Sequence, residues 1–212
     1  MPIWDVSDLL FYLRSDRFDP LESIDMELLI QKLGILLFLA TGRRLGEIAN
    51  FTSEISNESD RIIFHWPVAF LTKNERKSFT SSLPSISHLQ DEDKNLCPVR
   101  ILHVYLSRRG TFGGDESCLW PISQAALSNM IIKAIKQSIM MSGKEIPSKV
   151  GCYQLRKLAA SISFNQFSCR NKEKLLPIRM GSKSMSVLKK SYIRFLPKVK
   201  YSCVFPLGTL IP

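Results

Sequence analysis

The stretch GILLFLATGRRLGEIANF, residues 34–51, decides how this chain is read. Its first half is an apolar run suited to a core helix. Thr41-Gly42 then supplies a stop, because glycine takes the left-handed conformation that ends helices at little cost. Two arginines follow at once, Arg43 and Arg44, before the chain turns apolar again at Leu45, Ile48 and Phe51. A guanidinium this close to a core is costly unless an anion meets it. Glu47, three residues beyond Arg44, is an internal candidate for that anion. A phosphate arriving from outside is the other, since planar, permanently charged arginine suits bidentate phosphate contact.

Working outward, the pattern is mainly helical. DVSDLLFYL (5–13) predicts a short helix with Asp5 or Ser7 as its N-cap. A polar joint with Pro20 leads into a long helix over 25–40, and 45–51 forms a short helix set at an angle to it. From 61 to 80 the period changes: RIIFHW and AFLT are β-rich, KNERK is a polar turn, and SFTSSL is the returning strand. CPVRILHVYLSRRG (97–110) is helical again, with Pro98 near its first position and Gly110 as its stop. CLWP (118–121) predicts one buried strand, and Ser123 caps a helix over 124–142 that ends at Gly143. Another helix begins near Tyr153, and one or two more precede Pro197. The expected fold is α+β: mainly α with a small antiparallel β-sheet, in a single domain over 1–212.

Composition bounds the class. With 212 residues, 45% of them hydrophobic and 23% charged, the chain can bury a sizeable core. The longest apolar runs are near ten residues, too short to span a bilayer, and no signal peptide opens the chain. The five cysteines are odd in number and widely spaced without a CxxC pair, so neither a disulfide framework nor a zinc site is expected. The three histidines lack ligand spacing, and no cofactor or metal is expected. A reducing compartment is the default for such cysteines, and an intracellular location is expected, nuclear in a eukaryote and cytoplasmic otherwise. Charge is unevenly placed: residues 1–106 hold 11 Lys/Arg against 15 Asp/Glu, net −4, while 107–212 hold 18 against 4, net +14, together the chain's +10. A basic half of this kind points to a polyanionic partner, nucleic acid first. The alternative is a solvated basic surface with no specific partner.

A second arginine repeats the problem posed by the first. In the helix starting near Tyr153, Leu155, Leu158, Ala159 and Ile162 make a buried stripe, and Tyr153, Arg156, Lys157 and Ala160 share the adjacent face. Arg156 is therefore expected at the edge of the core. In one reading its stem covers apolar surface while the head reaches water; a phosphate partner is the functional alternative.

These segments together resemble the tyrosine recombinase, or phage-integrase-like, family. TGRRLGE resembles its first arginine box, with Thr41-Gly42 as the turn, Arg44 as the first catalytic arginine and Glu47 as the acid of the box. YQLRKLAAS (153–161) resembles the second box, His-x-x-Arg: Arg156 matches the second arginine, and Tyr153 stands where the family usually has histidine. LTKNERKSF resembles the family's β-hairpin with a lysine at its turn, which is Lys73. MGSKSMSVLKKSYIR (180–194) resembles the final box, with Ser182 at the usual His or Trp position and Tyr192 as the nucleophile. Order and rough spacing agree across 41–192. More loosely, WDVSDLLFYL and CPVRILHVYL resemble recombinases of eukaryotic mobile elements such as the DIRS-like and Crypton groups.

The resemblance implies DNA cleavage and rejoining through a 3′-phosphotyrosine, with no metal or nucleotide cofactor. Arg44 and Arg156 would neutralise charge on the non-bridging phosphate oxygens, Lys73 would protonate the departing 5′ oxygen, and Tyr192 would attack. A phenol with an ordinary pKa of roughly 10 needs cations and a base nearby to do so. Arg43, Lys157, Lys183, Lys189, Lys190 and Arg194 would contact the DNA backbone, positioning it without reading sequence.

Two departures bear on activity. Tyr153 donates hydrogen bonds but shuttles protons poorly at neutral pH, and Ser182 offers one hydroxyl in place of a larger group. The interval from Gly181 to Tyr192 is about one residue longer than the family's. Met185, Leu188 and Tyr192 also fall at helical spacing, so that ring could pack in a core instead. Two other readings stay open: an impaired DNA-binding or regulatory protein of the same fold, and a basic helical scaffold for acidic protein partners. About 40 residues precede the first box, fewer than a separate DNA-clamping domain needs, so a catalytic domain alone is expected. It is expected to form a homo-oligomer, a tetramer, on double-stranded DNA, with the apolar tail 195–212 docking on a neighbouring subunit.

Overall fold

Helix α2 (Met26–Thr41) is apolar nearly all round, and every residue from Leu29 to Thr41 is buried. A helix of that composition cannot lie on a surface, because each Leu, Ile or Phe it exposed would forgo about 1.5–3 kcal/mol of burial. Its neighbours therefore surround it. The computed structural model describes residues 5–57, 61–70, 81–84, 91–110 and 117–166, without the side chains at 84, 91–93 and 161–166. Lys73, Ser182, Lys183, Lys189, Lys190, Tyr192, Arg194 and the tail 195–212 lie outside the described residues, as do the helices expected after 166.

Around α2 are packed α3 (Leu45–Ala49), α4 (Pro98–Arg109), α5 (Gln124–Met141) and α6 (Cys152–Gln166). Helix α1 (Val6–Leu13) runs along α5, where the Tyr12 hydroxyl donates to Gln137 Oε1 at 2.6 Å and Lys144 pairs with Asp8. Helix α5 comes close to α2 at Gly34, where a Cβ would stand 3.1 Å from Ile131 Cδ1. The joint between α1 and α2 is fastened by cations. Arg108 of α4 donates to Leu21 O and Ile24 O at 2.8 and 2.6 Å, and Lys32 of α2 donates to Phe18 O at 3.4 Å.

Most local signals act as expected. Asp5, rather than Ser7, caps α1, its Oδ1 accepting the Ser7 N–H at 2.9 Å. Gly42 stops α2 at φ 63°, and the Ser123 hydroxyl caps α5 by accepting the Ala126 N–H. Gly110 ends α4 at φ −56°, so that position does not use glycine's special freedom.

The sheet has three antiparallel strands in the order β1 (Ile55–Asn57), β2 (Arg61–Phe64), β3 (Ser81–Pro84). Phe64 pairs with Ile55 on one side and Ser81 on the other. Three expectations are corrected here. The AFLT strand does not form over Ala69 and Phe70: Pro67 opens a tight turn instead, closed by the Phe70 N–H on Pro67 O at 2.8 Å. Proline lacks the N–H that would extend β2. CLWP makes only an isolated bridge, Thr52 to Cys118, together with the Leu119 N–H on Phe51 O; its Leu119 and Trp120 are buried by side-chain packing rather than by a ladder. Strand β1 was not expected at all, since Ile-Ser-Asn has a single apolar residue and no alternation to betray it. The outcome remains a mainly helical α+β chain with a small antiparallel sheet.

Candidate active site

The turn after α2 is built by short-range bonds. Thr41 Oγ1 donates back to Leu37 O at 2.7 Å and accepts the Arg43 N–H at 3.3 Å, while the Gly42 N–H closes on Phe38 O. Arg44 then adopts extended backbone, φ −76° and ψ 155°, as the N-cap of α3. Glu47 reaches back to it twice: Oε2 accepts the Arg44 N–H at 3.0 Å and Oε1 accepts from Nη1 at 2.6 Å. This is the acidic half of a capping box, with the same carboxylate also neutralising the cap's side chain. The Glu47 carboxyl is nearly enclosed, 4% exposed, whereas the Arg44 side chain keeps 31% of its surface open.

Of the two neighbouring arginines, Arg43 is the buried one. It is 6% exposed, with its guanidinium 5.3 Å from the centre of the Trp66 ring. A guanidinium is weakly hydrated and stacks on indole faces, which makes this burial tolerable. Arg43 was expected at a DNA backbone; its observed environment is the aromatic side of the turn.

Arg156 lies further in than the core edge expected of it, at 3% exposure on α6 between buried Leu155, Ala159 and Ala160. Tyr153 is 53% exposed one turn earlier, and Lys157 Nζ stands 5.0 Å from its ring centre. Among the described residues the structure thus joins Arg44 to Glu47 and Tyr153 to Lys157. Arg44 and Arg156 stand on two different elements, α3 and α6, and both elements pack on α2.

No family model matches the sequence, and no curated protein matches it. Solved structures do match. XerH site-specific recombinase bound to difH substrate, in a pre-cleavage complex, aligns over 92% of this chain and 51% of its own, with 16% identity and a TM-score of 0.63. XerA recombinase aligns over 92% and 60%, with 19% identity and a TM-score of 0.58. A lambda integrase dimer bound to a COC′ core site aligns over 93% and 62%, with 16% identity and a TM-score of 0.55. The chain has the tyrosine recombinase catalytic-domain fold. It spans about half to three-fifths of the length of these structures.

Within this tyrosine recombinase fold, two functional-looking residues escaped the sequence reading. Trp66 donates its indole N–H to Glu47 O at 2.7 Å, and Trp120 donates to Ile48 O at 2.8 Å. Both tryptophans were visible as strand-like apolar positions, but no local spacing ties either to α3. The fold also encloses Lys32 of α2 at 1% exposure, beside the equally buried Gln31, and no local spacing marks it in advance. No group of metal-ligating side chains occurs among the described residues, and no described helix is long and apolar enough to cross a membrane.

Proposed function

We propose that this chain is the catalytic portion of a DNA strand-exchange enzyme that cuts and rejoins DNA through a 3′-phosphotyrosine. The observation that carries the reading is the Arg44–Glu47 arrangement, in which a buried carboxylate holds Arg44 at both its backbone N–H and its guanidinium while part of the arginine side chain stays open to solvent. An arginine held this way meets an incoming phosphate without reorganising, and such preorganised charge lowers a barrier by several kcal/mol in order of magnitude. The tyrosine recombinase fold and the +14 net charge of residues 107–212 agree with a DNA partner.

In the proposed reaction the Tyr192 hydroxyl gives up its proton to a base and its oxygen bonds to phosphorus. The bond from phosphorus to the 5′ oxygen breaks, and Lys73 supplies the proton to that oxygen. Arg44 and Arg156 neutralise the non-bridging oxygens. A 5′-hydroxyl from another strand reverses the step and releases the tyrosine. Lys157, Lys183, Lys189, Lys190 and Arg194 are the candidate cations along the DNA backbone, while Arg43, stacked on Trp66, supports the turn from its aromatic side. Ser182 donates one hydrogen bond to the phosphate, and Tyr153 occupies the place of a histidine. The protein acts as a homo-oligomer on double-stranded DNA.

The test is a covalent trap. The protein is incubated with nicked DNA substrates that lose their 5′-hydroxyl strand on cleavage, and denaturation-resistant adducts are counted. An adduct that forms with the wild type and disappears in Tyr192→Phe is the expected result. Binding without any adduct favours the second reading, an impaired DNA-binding relative, for which Tyr153 in place of histidine is the specific observation. Absence of DNA binding overturns both.

A further inference from the structure

Helix α3 is five residues long, too short to hold a direction by itself in water. Its last carbonyls also lack partners within the helix. Three side chains from outside or beyond the helix supply them. Asn50 Nδ2 donates to Gly46 O at 2.7 Å, Trp66 Nε1 to Glu47 O at 2.7 Å, and Trp120 Nε1 to Ile48 O at 2.8 Å.

The two indoles come from different places in the chain. Trp66 follows β2 and packs on Phe51 with ring centres 5.2 Å apart, and its face receives the Arg43 guanidinium. Trp120 lies just before α5, is 3% exposed, and packs on Tyr105 at 5.5 Å. Each N–H meets a carbonyl near the C-terminal end of α3, opposite the Arg44 cap. A helix of one and a half turns gripped at its C-terminal carbonyls has its N-terminal end aimed by that grip.

We propose that Trp66 and Trp120 are positioning residues for Arg44: their indole N–H groups set the direction of α3 and hence the place where the Arg44 guanidinium meets a scissile phosphate. This rests on the strand-exchange reading. Neither tryptophan touches the reacting atoms; both act through the backbone of Glu47 and Ile48.

The test uses Trp66→Phe, which keeps a ring against Phe51 and removes the N–H, beside Trp120→Phe. Adduct formation is measured on two substrates: an ordinary phosphodiester, and the same DNA with a neutral methylphosphonate at the scissile position. Affinity for uncleaved DNA is measured in parallel. On the phosphodiester, Trp66→Phe is expected to slow adduct formation at least tenfold with DNA affinity changed less than twofold. On the methylphosphonate, which carries no charge for Arg44 to neutralise, the variant is expected to fall within about threefold of the wild type. Equal slowing on both substrates, or no slowing on either, overturns the inference alone. A wild type that forms no adduct on either substrate overturns the strand-exchange reading, and this inference with it. Should Trp120→Phe fail to fold, Trp66→Phe decides.

Discussion

Glu47 holds Arg44 from two directions, one carboxylate oxygen on the backbone N–H at 3.0 Å and the other on Nη1 at 2.6 Å. The carboxylate is nearly enclosed and sits on the first turn of α3, where negative charge also favours the helix N-terminus. Fold and candidate chemistry therefore share one side chain. Glu47→Ala leaves the Arg44 N–H without its acceptor and is expected to cost about 2 kcal/mol of stability. Glu47→Gln keeps an acceptor and loses the charge, for about 1 kcal/mol. Urea unfolding of the two variants checks the order, and equal stability of wild type and Glu47→Ala would contradict the double role.

Arg44→Lys separates charge from geometry. A lysine keeps the cation near Glu47 but loses the planar fork that meets two oxygens at once. The rate of covalent adduct formation is expected to drop about 100-fold, in line with the removal of one preorganised donor, while thermal stability moves little. Retention of wild-type rates in Arg44→Lys would show that a simple positive charge suffices.

Tyr153 is 53% exposed, so a change there meets few packing constraints. Tyr153→His would introduce a group that titrates near pH 6.5 and can both give and take a proton. Adduct formation is expected to rise about tenfold, with a new pH dependence centred near 6.5. A pH–rate profile of wild type and variant decides, and identical profiles would exclude position 153 from the proton chemistry.

Lys32 gives a pH prediction that is independent of DNA. Burial lowers its pKa from 10.5 to about 8, with Asp19 opposing that drop and Arg100 adding to it. Between pH 8 and 10.5 the unfolded chain holds a proton that the native lysine has released, so stability rises with pH across that window. Below pH 8 the penalty of the buried charge is fully present, about 3 kcal/mol for such a shift. Lys32→Met is therefore expected to stabilise the protein by about 3 kcal/mol at pH 7, with the gain fading towards pH 10.5. Unfolding in urea at pH 7, 9 and 10.5 tests this, and a gain that stays constant across the window would rule out lysine titration as its source.

The sequence by itself determined what short-range physics controls. Helical period located α1, α2, α4, α5 and α6, and the caps Asp5 and Ser123 and the stop Gly42 acted within a few residues of the chain. The Arg44–Glu47 pair was legible for the same reason, since three residues on a helix start are one turn apart. Pro67 also carried its message locally, although the β-rich letters after it spoke louder.

Only the tertiary structure decided which of two adjacent arginines would be buried. Arg43 and Arg44 have the same side chain and nearly the same neighbours in sequence; the choice was made by Trp66, which β2 delivers against the turn and whose ring covers Arg43. The grip of Trp66 and Trp120 on α3 is of the same kind, a contact between segments far apart in the chain that no periodicity encodes. Lys32 is enclosed because helices and the preceding joint close round all sides of α2, a fact of packing rather than of its own local sequence.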